Sequence, residues 1–282
     1  METIGNLLDN QVKSQSESAV TTTEPSSKTC SDEEERRKRY EEQRLKDHLE
    51  FVRSAINSTR LYQFQSQDFT NPDVYNMHST LVVACGKEIA SHHGKEFILD
   101  EGNRKVMKFL MLYFNHSPLA LEVYPENNYS LDKNIMLMGE AGVGKTFIME
   151  VFKLYLEKLN SPMRYTTISQ TQLLNHHKQN NNIDLFTYNT TSSNSFEGRP
   201  FSICLNDLGL ETQKFYANDL ESIIEEFIYA RYEIWEQNCK STHITTNLNG
   251  EDLKKLFNEE HKRLLDRMKM FNIIQVGGKS RR

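Results

Sequence analysis

Gly139 to Thr146 read GEAGVGKT, a glycine-rich octet closed by lysine and threonine. Phosphate chemistry uses those residue types in that order. Glycines let a backbone curl until its N–H groups face phosphate oxygens, so Gly139, Glu140, Ala141, Gly142, Val143 and Gly144 form the expected cradle. Lys145 is placed to reach the β- and γ-phosphates and Thr146 to reach a magnesium ion. A glycine-rich turn with no ligand would not need lysine and threonine directly after its third glycine. The octet therefore predicts a nucleotide site, with ATP and Mg2+ as cofactors.

A second chemical segment is FSICLNDLGLE, where an apolar run ends in Asn206 and Asp207. In P-loop ATPases such a strand ends in carboxylates that hold the magnesium water shell and polarise the attacking water. Here one carboxylate stands where two are usual. Asn206 offers a carbonyl oxygen to a cation but no charge, which weakens magnesium affinity. Asp207 is the expected catalytic carboxylate and, with Thr146 and Asn206, a metal ligand. If Asp207 occupies the water-activating position, slow hydrolysis survives; if not, ATP is bound without turnover. Glu211 is either a substitute or a surface residue. A third segment, STHITTNLN, ends a β-branched run in Asn247, an amide suited to orienting the lytic water or sensing the γ-phosphate.

Basic residues close the chain in KRLLDRMKMFNIIQVGGKSRR. Arg263 and Arg267 lie four apart and share a helix face, and either of them or Arg281 and Arg282 can serve as solvated surface charge. A guanidinium supplied by a neighbouring subunit neutralises γ-phosphate charge, and Arg267 is the candidate for that role. His176, His177 and Lys178 in TQLLNHHKQNNN offer either a weak contact to single-stranded DNA or plain surface; a metal would need a third ligand.

These groups need a scaffold of strand ends. NIMLMG before the octet reads as a buried strand, and the helix after it turns Phe147, Ile148, Val151, Phe152, Tyr155 and Leu159 to one side. Strand and helix then alternate through MRYTTI, TQLLNHHK, FSICLN, DLESIIEEFIYARYEIWEQ, HITTNL and NIIQV. That alternation predicts an α/β fold with a parallel sheet covered on both faces. Asn180 to Pro200 lacks periodicity and is expected to be a loop. Upstream, residues 1–32 are Ser-, Thr- and acid-rich and predict a disordered tail. Residues 33–96 read as a helical arm and connector, with Leu45, Leu49, Val52 and Ile56 on one stripe, either solvated or docking on a partner. Residues 97–282 form the expected ATPase domain.

Composition narrows the class further. The 282 residues are 37% hydrophobic and carry a formal charge of -5, so no global basic field drives the chain onto nucleic acid. No apolar run approaches the ~18–20 residues that span a bilayer, and the amino terminus does not resemble a secretory signal, so a cytoplasmic protein without membrane contact is expected. Cys30, Cys85, Cys204 and Cys239 form no closely spaced pair, which argues against zinc or a disulfide frame.

In their order, GEAGVGKT, NDLGLE, ARYE at Ala230 to Glu233, HITTNL, LLDRM and GKSRR resemble the DnaC/IstB branch of the AAA+ ATPases, the replicative helicase loaders and transposition helpers of bacteria. The resemblance spans Phe97 to Arg282. It implies a three-layer P-loop core around a five-stranded parallel sheet, a minimal or absent lid, and ATP bound where subunits meet. It also implies that Asn247 is the first sensor, that Arg267 is the arginine finger with Arg263 beside it, and that Arg282 contacts nucleotide from its own subunit. The partners implied are a replicative helicase of the DnaB type or a transposase, single-stranded DNA bound weakly, and further copies of the chain. Asn206 departs from the family's DDLG pattern, which leaves open a nonenzymatic adaptor gated by ATP.

Overall fold

A computed structural model describes residues 35–47, 49–50, 67–188, 200–209, 217–256, 266–278 and 280. The chain divides into two compact units, Met1–Tyr62 and Gln63–Arg282. In the first, residues 35–47 and 49–50 are helical, and Leu45 and Leu49 of the expected stripe are exposed. Val52, Ile56 and the tail 1–32 lie outside the described residues.

The second unit opens with α1 (Pro72–His92) and α2 (Glu101–Phe114) and then alternates strictly. β1 (Asn134–Met138) leads into α3 (Lys145–Lys158), β2 (Thr166–Ser169) into α4 (Gln170–Asn180), and β3 (Ile203–Leu208) is followed by α5 (Ala217–Asn238). β4 (Thr242–Thr246), α6 (Gly250–Leu256) and β5 (Phe271–Gln275) complete the order. Local chemistry fixes the helix starts. Asn71 caps α1 with Pro72 at the first helical position, while Asp100–Asn103 and Ser169–Gln172 form capping boxes on α2 and α4.

The five strands form one sheet in the order β2-β3-β4-β1-β5, every neighbour parallel. The expected five-stranded parallel sheet is thus present. All of β1 is buried, as a central parallel strand with helices on both faces requires. Its alternate side chains feed two cores. Ile135 and Leu137 pack with Phe109, Ile148, Val151 and Phe152 from α2 and α3; Met136 and Met138 pack with Leu173, Ile224, Phe227 and Ile228 from α4 and α5. Three layers follow directly. The side chain of Phe152 is fully buried, and truncating it to alanine would cost roughly 3–5 kcal/mol.

The expected loop from Asn180 begins later than periodicity suggests. Asp184–Phe186 form a 3-10 turn, and Ile183 and Phe186 are buried against the α4–α5 core. Two isolated apolar residues suffice to pin a turn without leaving a periodic signal. Residues 189–199 lie outside the described residues. Among the described residues no helix follows β5, and none is long and apolar enough to cross a membrane.

Candidate nucleotide-binding site

The octet forms the turn from β1 into α3. Gly139 leaves the strand at φ 155, where a Cβ would stand 2.3 Å from the Val276 carbonyl oxygen beyond β5. Gly144 caps α3 at φ 100, a left-handed conformation costly for other residues. Val143 between them is buried in the α2–α3 core and anchors the loop. Lys145 is only 4% exposed, and its Nζ donates to Gly139 O at 2.8 Å, Glu140 O at 2.8 Å and Asn247 Oδ1 at 2.6 Å. Charge-assisted bonds of this kind hold the ammonium against the end of β4.

Asp207 reaches the same place by a bulge. Leu205 pairs with Ile244 and Leu208 with Thr246, so three steps along β3 match two along β4. Asp207 occupies that irregularity at φ 59, and its Oδ1 lies 3.5 Å from the Thr146 hydroxyl, which donates to it. Asn206 is turned elsewhere. It is 7% exposed, and its Oδ1 accepts from the Thr245 hydroxyl at 3.3 Å and from the Cys204 thiol at 3.6 Å. Burial pushes the Cys204 thiol well above its usual range, so it remains a neutral donor.

Lys145, Thr146, Asp207 and Asn247 line one pocket of about 810 Å³ with Gly142 and Gly144. The connector from α1 to α2, including His93, Phe97 and Asp100, also lines it. None of these three residues stood out in the sequence as part of a site. Phe97 is fixed by a stack on Phe147 at 5.8 Å between centroids, and a Cβ at Gly86 would meet its ring at 2.8 Å. The small residue on α1 therefore makes room for the aromatic wall.

Other candidate residues are not gathered here. Arg267 is absent from the pocket walls; its guanidinium stacks over Tyr229 at 3.9 Å and Tyr232 at 5.1 Å on α5. Arg263, Arg282 and Glu211 lie outside the described residues. His176 packs on Phe186 at 5.2 Å and shares Asn180 as a partner, so its ring is engaged with its own helix and turn. Among the described residues, no group of three His, Cys, Asp or Glu side chains could hold a metal ion. A divalent ion here would take Thr146 Oγ1 and Asp207 as protein ligands and complete its shell with phosphate oxygens and water, a donor set that suits magnesium.

No family profile and no curated protein matches the chain. Solved structures are similar at low identity. A DnaC helicase loader is 19% identical with a TM-score of 0.40, over 64% of this chain and 92% of that one. Domain III of the Thermotoga maritima replication initiation protein DnaA is 13% identical with a TM-score of 0.40, over 64% of this chain and 65% of that one. AMPPCP-bound DnaA from Aquifex aeolicus is 20% identical with a TM-score of 0.37, over 64% of this chain and 48% of that one. What the pocket can do is set by Lys145, Thr146, Asp207 and Asn247, whichever proteins share the fold.

Proposed function

We propose that the chain binds ATP with Mg2+ in this pocket and hydrolyses it slowly, as an AAA+ ATPase of the helicase-loader type. The observation that carries the reading is the convergence of four groups from three strand ends. Lys145 Nζ bonds Asn247 Oδ1 at 2.6 Å while Thr146 Oγ1 stands 3.5 Å from Asp207, and all four line one pocket. In this reading Lys145 draws in the β- and γ-phosphates, and the N–H groups at the start of α3 receive their oxygens. Thr146 and Asp207 hold the magnesium ion, which offsets phosphate charge. Asn247 orients the attacking water, with Asp207 the nearby carboxylate available to accept its proton. Arg267 of one copy leaves Tyr229 and Tyr232 to reach the pocket of the next.

The loader role rests on the order of motifs resembling the DnaC/IstB branch. A DnaB-type helicase is the proposed partner, with single-stranded DNA bound weakly and the helical segment 35–47 as the docking arm. A second reading is favoured by Asn206, whose side chain is engaged with Thr245 and Cys204. With one carboxylate beside Thr146, ATP would act as a structural ligand and the protein as an adaptor. ATP hydrolysis by the purified chain, with and without single-stranded DNA, separates the two. Turnover that disappears in Lys145→Ala supports the ATPase; tight binding without turnover leaves the adaptor. Failure of the chain to co-purify with a DnaB-type hexamer would remove the loader role from either.

A further inference from the structure

Asp207 faces Thr146 only because β3 is irregular. In an unbroken strand residues 206 and 207 point to opposite faces of the sheet, and neither is aimed along the strand toward the loop at its end. The extra residue between Leu205 and Leu208 breaks that alternation and puts Asp207 in the left-handed region, where aspartate is tolerated better than most residues. Something must hold the backbone there. The contact at the bulge comes from Thr245, the next-to-last residue of β4, fully buried and absent from the pocket walls.

We infer that Thr245 is a positioning residue for the magnesium-nucleotide site: its hydroxyl staples the β3 bulge, turning the Asp207 carboxylate toward Thr146 and the Asn206 amide away from it. The inference rests on the magnesium-nucleotide reading of the pocket. The hydroxyl uses both of its capacities across the bulge. It donates to Asn206 Oδ1 at 3.3 Å and accepts the Asp207 N–H at 3.0 Å, so one side chain fixes both residues of the pair. The neighbouring bonds secure the ends of the irregularity without touching Asn206 or Asp207. Thr246 Oγ1 donates to Leu208 O at 2.7 Å, and the Gly209 N–H donates to Gln170 Oε1 at 2.7 Å. Thr246 is thus a comparison on the same strand: equally buried, adjacent, and bonded one residue past the carboxylate, with its hydroxyl also accepting the Leu248 N–H at 3.0 Å.

A positioning role separates from a structural one through magnesium. Binding of a fluorescent ATP analogue to the full chain is titrated in EDTA and then against MgCl2, for wild type, Thr245→Val, Thr245→Ser and Thr246→Val. Valine keeps the volume and branching of threonine while removing both hydrogen bonds; serine keeps the hydroxyl. Thr245→Val should bind the analogue in EDTA as wild type does but need about tenfold more MgCl2 or above for half-maximal tightening, the usual effect of losing a group that orients a metal ligand. Thr245→Ser should return to within about twofold of wild type, and Thr246→Val should lower the melting temperature without raising the MgCl2 requirement. If Thr245→Val does not fold, Thr245→Ala, which also removes both hydrogen bonds, takes its place with the same expectation. A wild-type magnesium requirement in Thr245→Val, or an equal rise in Thr246→Val, overturns the positioning role while leaving the site itself standing. A wild type that ignores magnesium, or does not bind the analogue, overturns both.

Discussion

The two ends of the same sheet use polar side chains to opposite purposes. At the carboxyl ends of β1, β3 and β4, Lys145, Asp207 and Asn247 come together on the wall of one pocket. At the amino ends Asn134, Arg231 and His243 are sealed in, each no more than 1% exposed. There the groups serve the fold. Asn134 Oδ1 accepts the Thr242 N–H at 2.9 Å, and His243 Nδ1 accepts the Ile135 N–H at 3.1 Å. Arg231 donates to Thr242 Oγ1, Phe201 O and Ser241 O at 2.7 to 3.0 Å, tying together the segments that lead into β3 and β4. Burial of a polar group therefore does not mark function here. The distinguishing feature is the shared pocket.

The amino end also shows what a sealed group must give up. His243 Nδ1 accepts a backbone N–H, so the ring's own proton sits on Nε2, which has no hydrogen-bond partner; the imidazole lies among the rings of Phe114 and Tyr165, 5.4 and 5.1 Å between centroids. Burial, with the Arg231 charge second, pushes its pKa down to about 3. Burial likewise lowers Arg231 to about 9, still charged at neutral pH.

If the two ends divide fold from function, the largest stability loss should follow Arg231→Met, which removes the donor to Phe201 O, Ser241 O and Thr242 Oγ1. About 2–4 kcal/mol of unfolding free energy should disappear in a urea titration while ATP affinity holds. An ATP affinity that falls with it would break the division. Asn206→Asp sharpens the boundary from the other side, because residue 206 is at the carboxyl end yet faces inward. A carboxylate at this buried position, next to Asp207, is disfavoured as the anion by desolvation and like charge, which outweigh the donors Thr245 and Cys204. Its pKa should be raised, so stability should drop by about 1–3 kcal/mol at neutral pH and recover as the pH falls and it protonates. ATP turnover should not rise; a rise would mean that residue 206 faces the nucleotide after all.

The smallest effect concerns His243. Its folded pKa lies below the unfolded value, so the unfolded chain takes up a proton first on acidification, and stability is lost as pH falls from about 6.5 toward the folded pKa. Between about pH 6.5 and 5.5 this group should remove about 1 kcal/mol. His243→Gln, which retains an acceptor for the Ile135 N–H, should flatten the melting-temperature profile over that interval. An unchanged profile would mean that the ring is protonated within the fold.

What sequence reveals of this molecule follows from how local each feature is. The octet carries its own geometry, since glycines, lysine and threonine act within one turn, and the α3 face was visible from Ile148, Val151, Phe152 and Tyr155 alone. Sheet order was not visible, because the pairing of β1 with β4 joins residues more than a hundred apart, as Met136 with Ile244 shows. For the same reason NDLG discloses one missing carboxylate but not which of its two residues is aimed at Thr146; that depends on Thr245, 38 residues away from Asp207. Arg231 stood within ARYE as part of a resemblance, and only tertiary packing shows that its side chain is spent on the amino end of the sheet. The Phe97 wall escaped because a connector needs no periodicity to be placed by a neighbour such as Phe147.

The central claim, that the carboxyl-end pocket is a magnesium-ATP site built on Lys145, is tested most directly by calorimetric titration of ATP with MgCl2 into wild-type chain and Lys145→Ala. Saturable one-to-one binding in the wild type that weakens by about a hundredfold or more in the variant, with its melting temperature in the absence of nucleotide preserved, is the predicted result. Equal binding by both proteins, or none by the wild type, would contradict it.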